Sequence, residues 1–250
     1  MFYTLFKYLL FTPILRTVLR GRITGQQNIP AHGGIILAGN HVAAADAYVM
    51  PALIHRQVLY PAKAELFRGD RGLGSKVVAW FLKVINQVPL DRADPRNRLA
   101  ALAPILARLK DGGAVAIFPE GTRSPDGRLY KGKTGIARLA LAAHVPVVPF
   151  ACFRTQKVKG PLGLPWLDRP LIVVGEPISF EEYAAGVEDH DTLRWVTDEV
   201  MAAIQRLSGQ EYVDVYGSSV KSGAVTKQGA DEKVLPRPGG GPAPQLPGQG

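Results

Sequence analysis

The chain is poor in cysteine, with Cys152 alone among 250 residues. A single cysteine excludes an intrachain disulfide and a zinc site built from several cysteines, and it is compatible with a reducing compartment. Because Cys152 follows the apolar stretch "VPVVPFA", we expect a buried apolar side chain rather than a nucleophile. Hydrophobic residues make up 46% of the chain, enough for one domain to bury a substantial core without cross-links.

Residues 1–30 lack acidic residues, and their apolar part lacks a run long enough to span a bilayer. The uncharged run from Tyr8 to Leu15 is far shorter than the roughly 20 residues of a spanning helix. Apolar side chains roughly follow helical spacing, with most basic and threonine side chains on another side, although Pro13 would kink a helix. Residues 1–24 are therefore predicted to lie in a membrane interface, with basic groups at lipid headgroups. The alternatives are a first helix packed in the core and a cleaved signal peptide.

The formal net charge of +9 favours anionic partners, namely nucleic acid, phosphorylated small molecules or an anionic membrane. Basic residues interleaved with aromatic ones, which would serve base stacking, are missing, so no nucleic-acid partner is predicted. The Gly-x-Ser-x-Gly nucleophile elbow of α/β-hydrolases is missing as well, which disfavours a hydrolase.

Apolar runs typical of buried strands alternate with helical patterns from residue 34 onward. This alternation predicts an α/β fold, with a mostly parallel or mixed central sheet flanked by helices, over residues 25–216. Residues 217–250 end in "RPGGGPAPQLPGQG" and are predicted to be a disordered Gly/Pro-rich tail. Predicted strands cover 34–39, 57–62, 87–90, 114–119, 145–151 and a last one at 171–175; predicted helices cover 43–55, 73–85, 95–110, 134–143 and a final one at 190–208.

The stretch "AGNHVAAADAYVM" places His41 and Asp46 five residues apart in an otherwise uncharged segment. Residues five apart on a regular helix do not share a face. The two side chains can therefore meet only if His41 lies in the turn after the strand and Asp46 lies in the first helical turn. Asp46 would then hold one imidazole nitrogen and leave the other free as a base. On spacing alone, a polar helix cap without a catalytic role remains the alternative.

A second stretch, "FPEGTRSPDGRLYKGKTG", also follows a predicted strand end. Its glycines allow close backbone approach, and its basic side chains supply charge for a phosphate. The alternative is a solvated surface loop. Two shorter stretches, "PAKAELF" with Lys63 and "NQVPLDR" with Arg92, are ordinary charged loops when taken singly.

Taken together and in this order, these stretches resemble the conserved blocks of the glycerolipid acyltransferases, in particular the 1-acylglycerol-3-phosphate O-acyltransferases. "NHVAAAD" is similar to the first block, "NQVPLDR" to the second, "FPEGTRS" to the third and "VPVVPFA" to the fourth, over roughly residues 25–180. The second block departs from the family pattern, because Asn86, Gln87, Val88 and Pro89 stand where typical members carry glycine and bulky apolar residues.

The resemblance implies transfer of an acyl group from a thioester to the sn-2 hydroxyl of lysophosphatidic acid, with other lipid acceptors as the alternative. It implies His41 as general base and Asp46 as the residue that orients it. Its substrate-binding residues would be Lys63, Arg92, Glu120, Gly121, Thr122, Arg123 and Pro149. It implies no metal and no cofactor, with acyl-CoA or acyl carrier protein as co-substrate. The expected partners are a lysophospholipid and the cytoplasmic face of a membrane, while the oligomeric state stays open.

Overall fold

The computed structural model describes residues 7–70, 72–84, 87–90, 98–160, 163 and 165–245. The strands in chain order are β1 (Arg22–Thr24), β2 (Ile35–Gly39), β3 (Val58–Leu59), β4 (Pro61–Lys63), β5 (Val88–Leu90), β6 (Ala114–Ile117), β7 (Leu129–Tyr130), β8 (Val147–Phe153), β9 (Val158–Lys159), β10 (Pro165–Trp166), β11 (Leu171–Val174), β12 (Tyr212–Val213) and β13 (Val234–Leu235). The helices are α1 (Asp46–Leu53), α2 (Leu73–Val84), α3 (Arg98–Lys110), α4 (Gly135–Ala143), α5 (His190–Ser208), α6 (Gly217–Lys221) and α7 (Lys227–Asp231).

Six strands form a central sheet in the spatial order β1-β11-β8-β2-β6-β3. Strands β8, β2, β6 and β3 run parallel, β11 runs antiparallel to β8, and β1 runs parallel to β11. The predicted α/β class with a mixed sheet is therefore confirmed. Smaller sheets pair β4 with β5, β9 with β10, and β12 with both β7 and β13.

Strand β2 lies in the middle of the sheet and is buried on both faces. Ile36 and Ala38 belong to one core cluster, whereas Ile35 and Leu37 belong to the other. Side chains alternate across a strand, so a strand covered on both faces needs apolar residues at successive positions. That requirement explains the unbroken apolar run "IILAG", in which apolar residues do not alternate with polar ones.

Helices cover both faces of the sheet. On one face, α3, α4 and α5 contribute residues such as Leu109, Ile136 and Val200 to the first core cluster. On the other face, α1 packs Val49 and Leu53 into the second cluster. Helix α5 spans His190–Ser208 as predicted, because the side chain of Asp189 accepts the backbone N–H of Thr192 at its start and Gly209 ends it with a positive φ of 65°.

The other predicted elements lie close to the observed ones, with two differences. The predicted strand 57–62 is divided between β3 in the central sheet and β4 in a side sheet. The predicted helix 43–55 begins only at Asp46, because the residues before it form a turn. Of the predicted helix 95–110, α3 covers Arg98–Lys110, and residues 95–97 lie outside the described residues.

The N-terminal segment is partly integrated into the domain, contrary to the predicted separate unit 1–24. It forms two π-helical segments, Lys7–Phe11 and Ile14–Val18, and its last residues form strand β1. Lys7 is buried, and its ammonium donates to the carbonyl oxygens of Ile54 and Arg56. Burial lowers the pKa of Lys7 to about 8. The predicted contact of basic groups with lipid headgroups therefore does not extend to Lys7, because its ammonium binds carbonyl oxygens of the domain instead.

The same segment nevertheless exposes apolar side chains. Leu15 is buried in the second core cluster, whereas Leu9 is 70% and Val18 is 52% exposed. Within the described residues, no helix is long and apolar enough to span a bilayer.

Residues 210–235, here called the C-terminal cap, form strands and short helices, so the disorder predicted from residue 217 does not apply to residues 217–235. Strand β12 pairs with β7 and β13, and α6 and α7 lie between β12 and β13 in the chain. Ala230 and Val213 are buried with Tyr130 in a third apolar cluster. The Gly/Pro-rich composition belongs to the residues after Leu235. Strand β11 and helix α5 are consequently not the last of their kind.

Candidate active site at the end of strand β2

The carboxyl end of the central strand β2 leads directly into the turn that carries His41. The Nδ1 atom of His41 lies 2.9 Å from Oδ2 of Asp46, the first residue of α1. The same oxygen accepts the backbone N–H groups of Val42 and Ala43, each at 2.8 Å. One carboxylate oxygen thus closes the turn and holds the imidazole, and the predicted contact between His41 and Asp46 is present.

Asp46 is completely buried, whereas the His41 side chain is 17% exposed. Because the Asp46 carboxylate accepts hydrogen bonds, we assign the imidazole proton to Nδ1, which leaves Nε2 with a free lone pair. The His41 ring stacks on Phe118, with centroids 4.1 Å apart and planes 10° apart. Phe118 in turn contacts the rings of Tyr60 and Phe150. This aromatic support fixes the imidazole plane, an arrangement suited to a general base.

Asn40, which the sequence reasoning did not single out, joins the site to strand β8. Its side-chain oxygen accepts the backbone N–H of Cys152 at 2.7 Å, and its amide donates to Gln210 Oε1 at 2.8 Å. Cys152 is buried as predicted. Burial first, and the neighbouring Asp46 carboxylate second, raise the pKa of its thiol well above the ordinary value. A buried, protonated thiol is a poor nucleophile.

Glu120 ties the third block to the first. Its Oε1 accepts the backbone N–H of His41 at 3.0 Å, and its Oε2 accepts that of Tyr130 at 3.1 Å. The carbonyl oxygen of His41 accepts the backbone N–H of Ser124 at 2.6 Å. Glu120 was expected to help bind substrate, but it is only 1% exposed and its described contacts position His41. The third block therefore binds both the backbone N–H and the backbone carbonyl oxygen of His41.

The pKa of Glu120 yields a testable dependence of stability on pH. Burial raises this pKa to about 8, against the opposing effect of the two backbone donors, from an ordinary value of 4.5. The folded protein then keeps a proton that the unfolded chain releases, so this group lowers the free energy of unfolding as pH rises from about 4.5 to about 8. Urea denaturation of wild type and Glu120→Gln should show wild type losing stability relative to the variant between about pH 5 and about pH 8. A difference that stays constant over this range would contradict the assignment.

Gly121, Thr122 and Arg123 follow Glu120 at the surface. Gly121 has a φ of 69°, and a Cβ there would lie 3.1 Å from Cε of Lys133. The hydroxyl oxygen of Thr122 accepts a hydrogen bond from the ammonium group of Lys221, with 3.0 Å between Nζ and Oγ1. Arg123 is exposed, and it makes no ion pair or side-chain hydrogen bond with another residue that the structure describes. Its guanidinium is thus available for an anion.

The remaining predicted site residues are only partly placed. Lys63 ends strand β4 and pairs with Leu90 at the end of β5, but its side chain is not described. Arg92 lies outside the described residues, two positions after Leu90. Pro149 lies inside β8 opposite Ala38 and faces Gly175, where a Cβ would lie 3.1 Å from its Cγ. The described contacts of Pro149 are therefore core contacts.

Residues 127–134 read "GRLYKGKT", which fits the spacing of a nucleotide P-loop. A P-loop needs free backbone N–H groups that surround the phosphates. Here the N–H groups of Leu129, Tyr130 and Lys131 are bound by Glu211, Glu120 and Val215. The match in spacing therefore does not form a phosphate cradle.

A sequence model of the family described as Acyltransferase matches residues 20–153, more than half of the chain. The chain belongs to the acyltransferase family. This match contains the His41–Asp46 pair and the Glu120–Arg123 block. Over 179 residues the chain is 31% identical to the 1-acyl-sn-glycerol-3-phosphate acyltransferase of Bacillus subtilis, covering 66% of this chain and 78% of that protein.

Plant relatives are similar over a shorter part. The chloroplastic 1-acyl-sn-glycerol-3-phosphate acyltransferase BAT2 of Brassica napus is 33% identical over 137 residues, which cover 54% of this chain. That match spans 38% of the Brassica protein, and the match to the Arabidopsis thaliana protein LPAT1 spans 36% of its length.

A solved structure shows the same fold. It is the 1-acyl-sn-glycerophosphate (LPA) acyltransferase PlsC from Thermotoga maritima, with a TM-score of 0.54 and 23% sequence identity. The superposition covers 80% of this chain and 78% of that chain. The α/β arrangement described above is thus an arrangement known for an acyltransferase.

Proposed function

We propose that this acyltransferase transfers a fatty acyl group from a thioester to the sn-2 hydroxyl of lysophosphatidic acid, forming phosphatidic acid. The observation that carries the proposal is the 2.9 Å contact between His41 Nδ1 and Asp46 Oδ2. The Glu120–Arg123 block, with its exposed arginine, binds the main chain of His41. The relatives named as 1-acyl-sn-glycerol-3-phosphate acyltransferases support the choice of acceptor.

In the proposed reaction, Nε2 of His41 removes the proton from the acceptor hydroxyl as its oxygen attacks the thioester carbonyl. Asp46 keeps the proton on Nδ1 and stabilises the imidazolium that forms. The carbonyl is restored when the carbon–sulfur bond breaks, and the imidazolium returns its proton to the departing thiolate. Attack and departure require only a base, an acid and the thioester, so we propose acyl-CoA or acyl carrier protein as co-substrate without a further cofactor.

Arg123 is proposed to bind the phosphate of the acceptor. A guanidinium matches the geometry of phosphate oxygens. The guanidinium of Arg123 is exposed, and Arg123 belongs to the same block as Glu120, which binds the main chain of His41. Lys63 and Arg92 belong to the same proposal, since Lys63 pairs with Leu90 where β4 and β5 end, and Arg92 follows Leu90 by two positions in the sequence.

The test is an acceptor panel with the purified protein and one acyl-CoA, followed by mass spectrometry of the lipid products. Lysophosphatidic acid, glycerol 3-phosphate, lysophosphatidylcholine and a neutral monoacylglycerol should be compared at equal concentration. We expect lysophosphatidic acid to be the best acceptor. Preference for another acceptor would support acyl transfer but contradict lysophosphatidic acid as the acceptor. The absence of an acylated product from every acceptor would contradict the whole proposal. A parallel series with acyl carrier protein decides the donor.

Membrane association is proposed through the exposed apolar side chains of the N-terminal segment, namely Tyr8, Leu9, Ile14 and Val18. Exposed Arg16 and Arg20 lie in the same segment and suit anionic headgroups. Helix α2 adds a second exposed apolar stripe, because Leu73, Val77 and Trp80 recur at helical spacing and are at least 56% exposed. Both features suit an acceptor and a product that reside in a lipid surface.

The double variant Leu9→Asp/Val18→Asp should bind anionic vesicles at least about tenfold more weakly, since it places two charges where apolar surface would enter the interface. Vesicle cosedimentation measures this. Deletion of the segment would be less informative, because it also removes Leu15 from the core. The control is Val158→Asp, which changes a side chain 44% exposed on strand β9. Equal binding by the double variant and wild type would contradict the proposed interface.

A further inference from the structure

The C-terminal cap brings a cation to the surface of the third block. Lys221, the last residue of α6, donates from its ammonium to Oγ1 of Thr122 at 3.0 Å. Thr122 follows Glu120 by two residues, and Glu120 binds the backbone of His41. Lys221, which is 99 positions from Thr122 in the chain, thus lies beside the block that positions the general base.

Three contacts hold the cap against residues 118–135, the stretch that contains the third block. Arg128 Nη1 lies 2.8 Å from Oδ1 of Asp231 in α7. The amide of Gln210 donates to the carbonyl oxygen of Gly127, and Gln210 also binds Asn40 next to His41. A Cβ at Gly217 would lie 3.4 Å from Thr122 and 3.3 Å from Tyr130, so α6 starts in direct contact with the block. The position of Lys221 therefore follows from packing along the whole cap.

The charges around Lys221 are not balanced. Burial first, and the nearby Arg123 guanidinium second, lower the pKa of Lys221, whereas Glu120 raises it. The Glu120 carboxyl is itself buried with a pKa of about 8, so it is largely protonated at neutral pH. Lys131, another cation of this stretch, is paired with Asp214 at 3.0 Å. Lys221 thus lies against Thr122, the residue before Arg123, and neither of these two cations forms an ion pair with a residue that the structure describes.

We propose that Lys221 and Arg123 together bind the phosphomonoester of the acceptor, so that the C-terminal cap completes the acceptor site. A dianionic phosphate between the two groups replaces their mutual repulsion with two charge-assisted hydrogen-bond partners. Thr122 holds the Lys221 ammonium in place before the acceptor arrives. This inference rests on the proposed function, and it adds a binding residue from outside the four blocks.

Steady-state kinetics of Lys221→Met test it. The apparent KM for lysophosphatidic acid should rise about tenfold, the effect of one charge-assisted hydrogen bond at a partly exposed site. The turnover number and the KM for acyl-CoA should stay within about twofold of wild type, because the residue contacts neither His41 nor the thioester. Lys221→Arg, which keeps the charge, should restore most of the acceptor affinity. Lys227→Met, at an exposed lysine of the same cap, is the matched control and should match wild type.

Coenzyme A also carries phosphates, so Lys221 could bind either the acceptor or the acyl donor. Kinetics with two acyl donors distinguish these two cases. If Lys221 binds coenzyme A, Lys221→Met will raise the KM for acyl-CoA and leave that for S-acyl pantetheine, which lacks the nucleotide, unchanged; this result overturns the proposal. An unchanged acceptor KM in Lys221→Met, with active wild type, overturns this inference alone. If wild type makes no phosphatidic acid from lysophosphatidic acid, the proposed function fails first, and this inference fails with it.

Discussion

Replacement of His41 with alanine should lower the turnover number for phosphatidic acid formation by ~10²–10⁴-fold, the contribution of a positioned general base. The fold should survive, because the His41 side chain is partly exposed and lies in the turn after β2 rather than in the core. Loss of its stacking on Phe118 should cost about 0.5–1.5 kcal/mol of stability. Mass spectrometry of the lipid product measures turnover, and circular dichroism during thermal unfolding measures stability.

The matched control is His32→Ala, which removes an exposed histidine upstream of β2. This variant should retain the wild-type turnover number. A His41→Ala protein that is folded and turns over within about tenfold of wild type would show that another group activates the hydroxyl.

Asp46→Asn should also lower the turnover number by about 10²-fold or more, for a different reason. The asparagine oxygen can still accept the N–H groups of Val42 and Ala43, so the turn should keep its shape. The negative charge opposite the imidazolium is lost, and that charge is useful only when His41 becomes protonated in the reaction. The acceptor KM should therefore change much less than the turnover number.

Asp111→Asn, at an exposed aspartate after α3, controls for the loss of a charge and should leave turnover unchanged. A large rise in the acceptor KM of Asp46→Asn with an intact turnover number would instead indicate that Asp46 supports binding. In that case the assignment of Asp46 as the residue that orients the base would be wrong.

The contact between His41 and Asp46 could be predicted from sequence because both residues belong to one local strand–turn–helix unit. The spacing excluded a shared helical face, and the buried run before His41 gave the strand. The role of Glu120 could not be predicted in this way. Its partner His41 is 79 residues away in the chain, and the two meet because β6 pairs with β2.

The C-terminal cap was misjudged because its composition is close to that of a polar linker. Its order depends on a few apolar side chains, such as Val213 and Ala230, that find a partner in Tyr130. Glu211 and Val215 supply further backbone bonds to the strand that carries Tyr130. Such long-range partners leave no local periodicity, so Lys221 could not be connected with Thr122 before the fold was known.

The most direct measurement of the central claim compares lysophosphatidic acid with its 2-deoxy analogue, which lacks the attacking hydroxyl. Release of free thiol from acyl-CoA should be followed together with formation of phosphatidic acid. If His41 activates the acceptor hydroxyl, thiol release will equal product formation with lysophosphatidic acid and will fall to background with the analogue. Equal rates of thiol release with both compounds would show that the thioester is cleaved without the acceptor hydroxyl, and would contradict the proposed transfer.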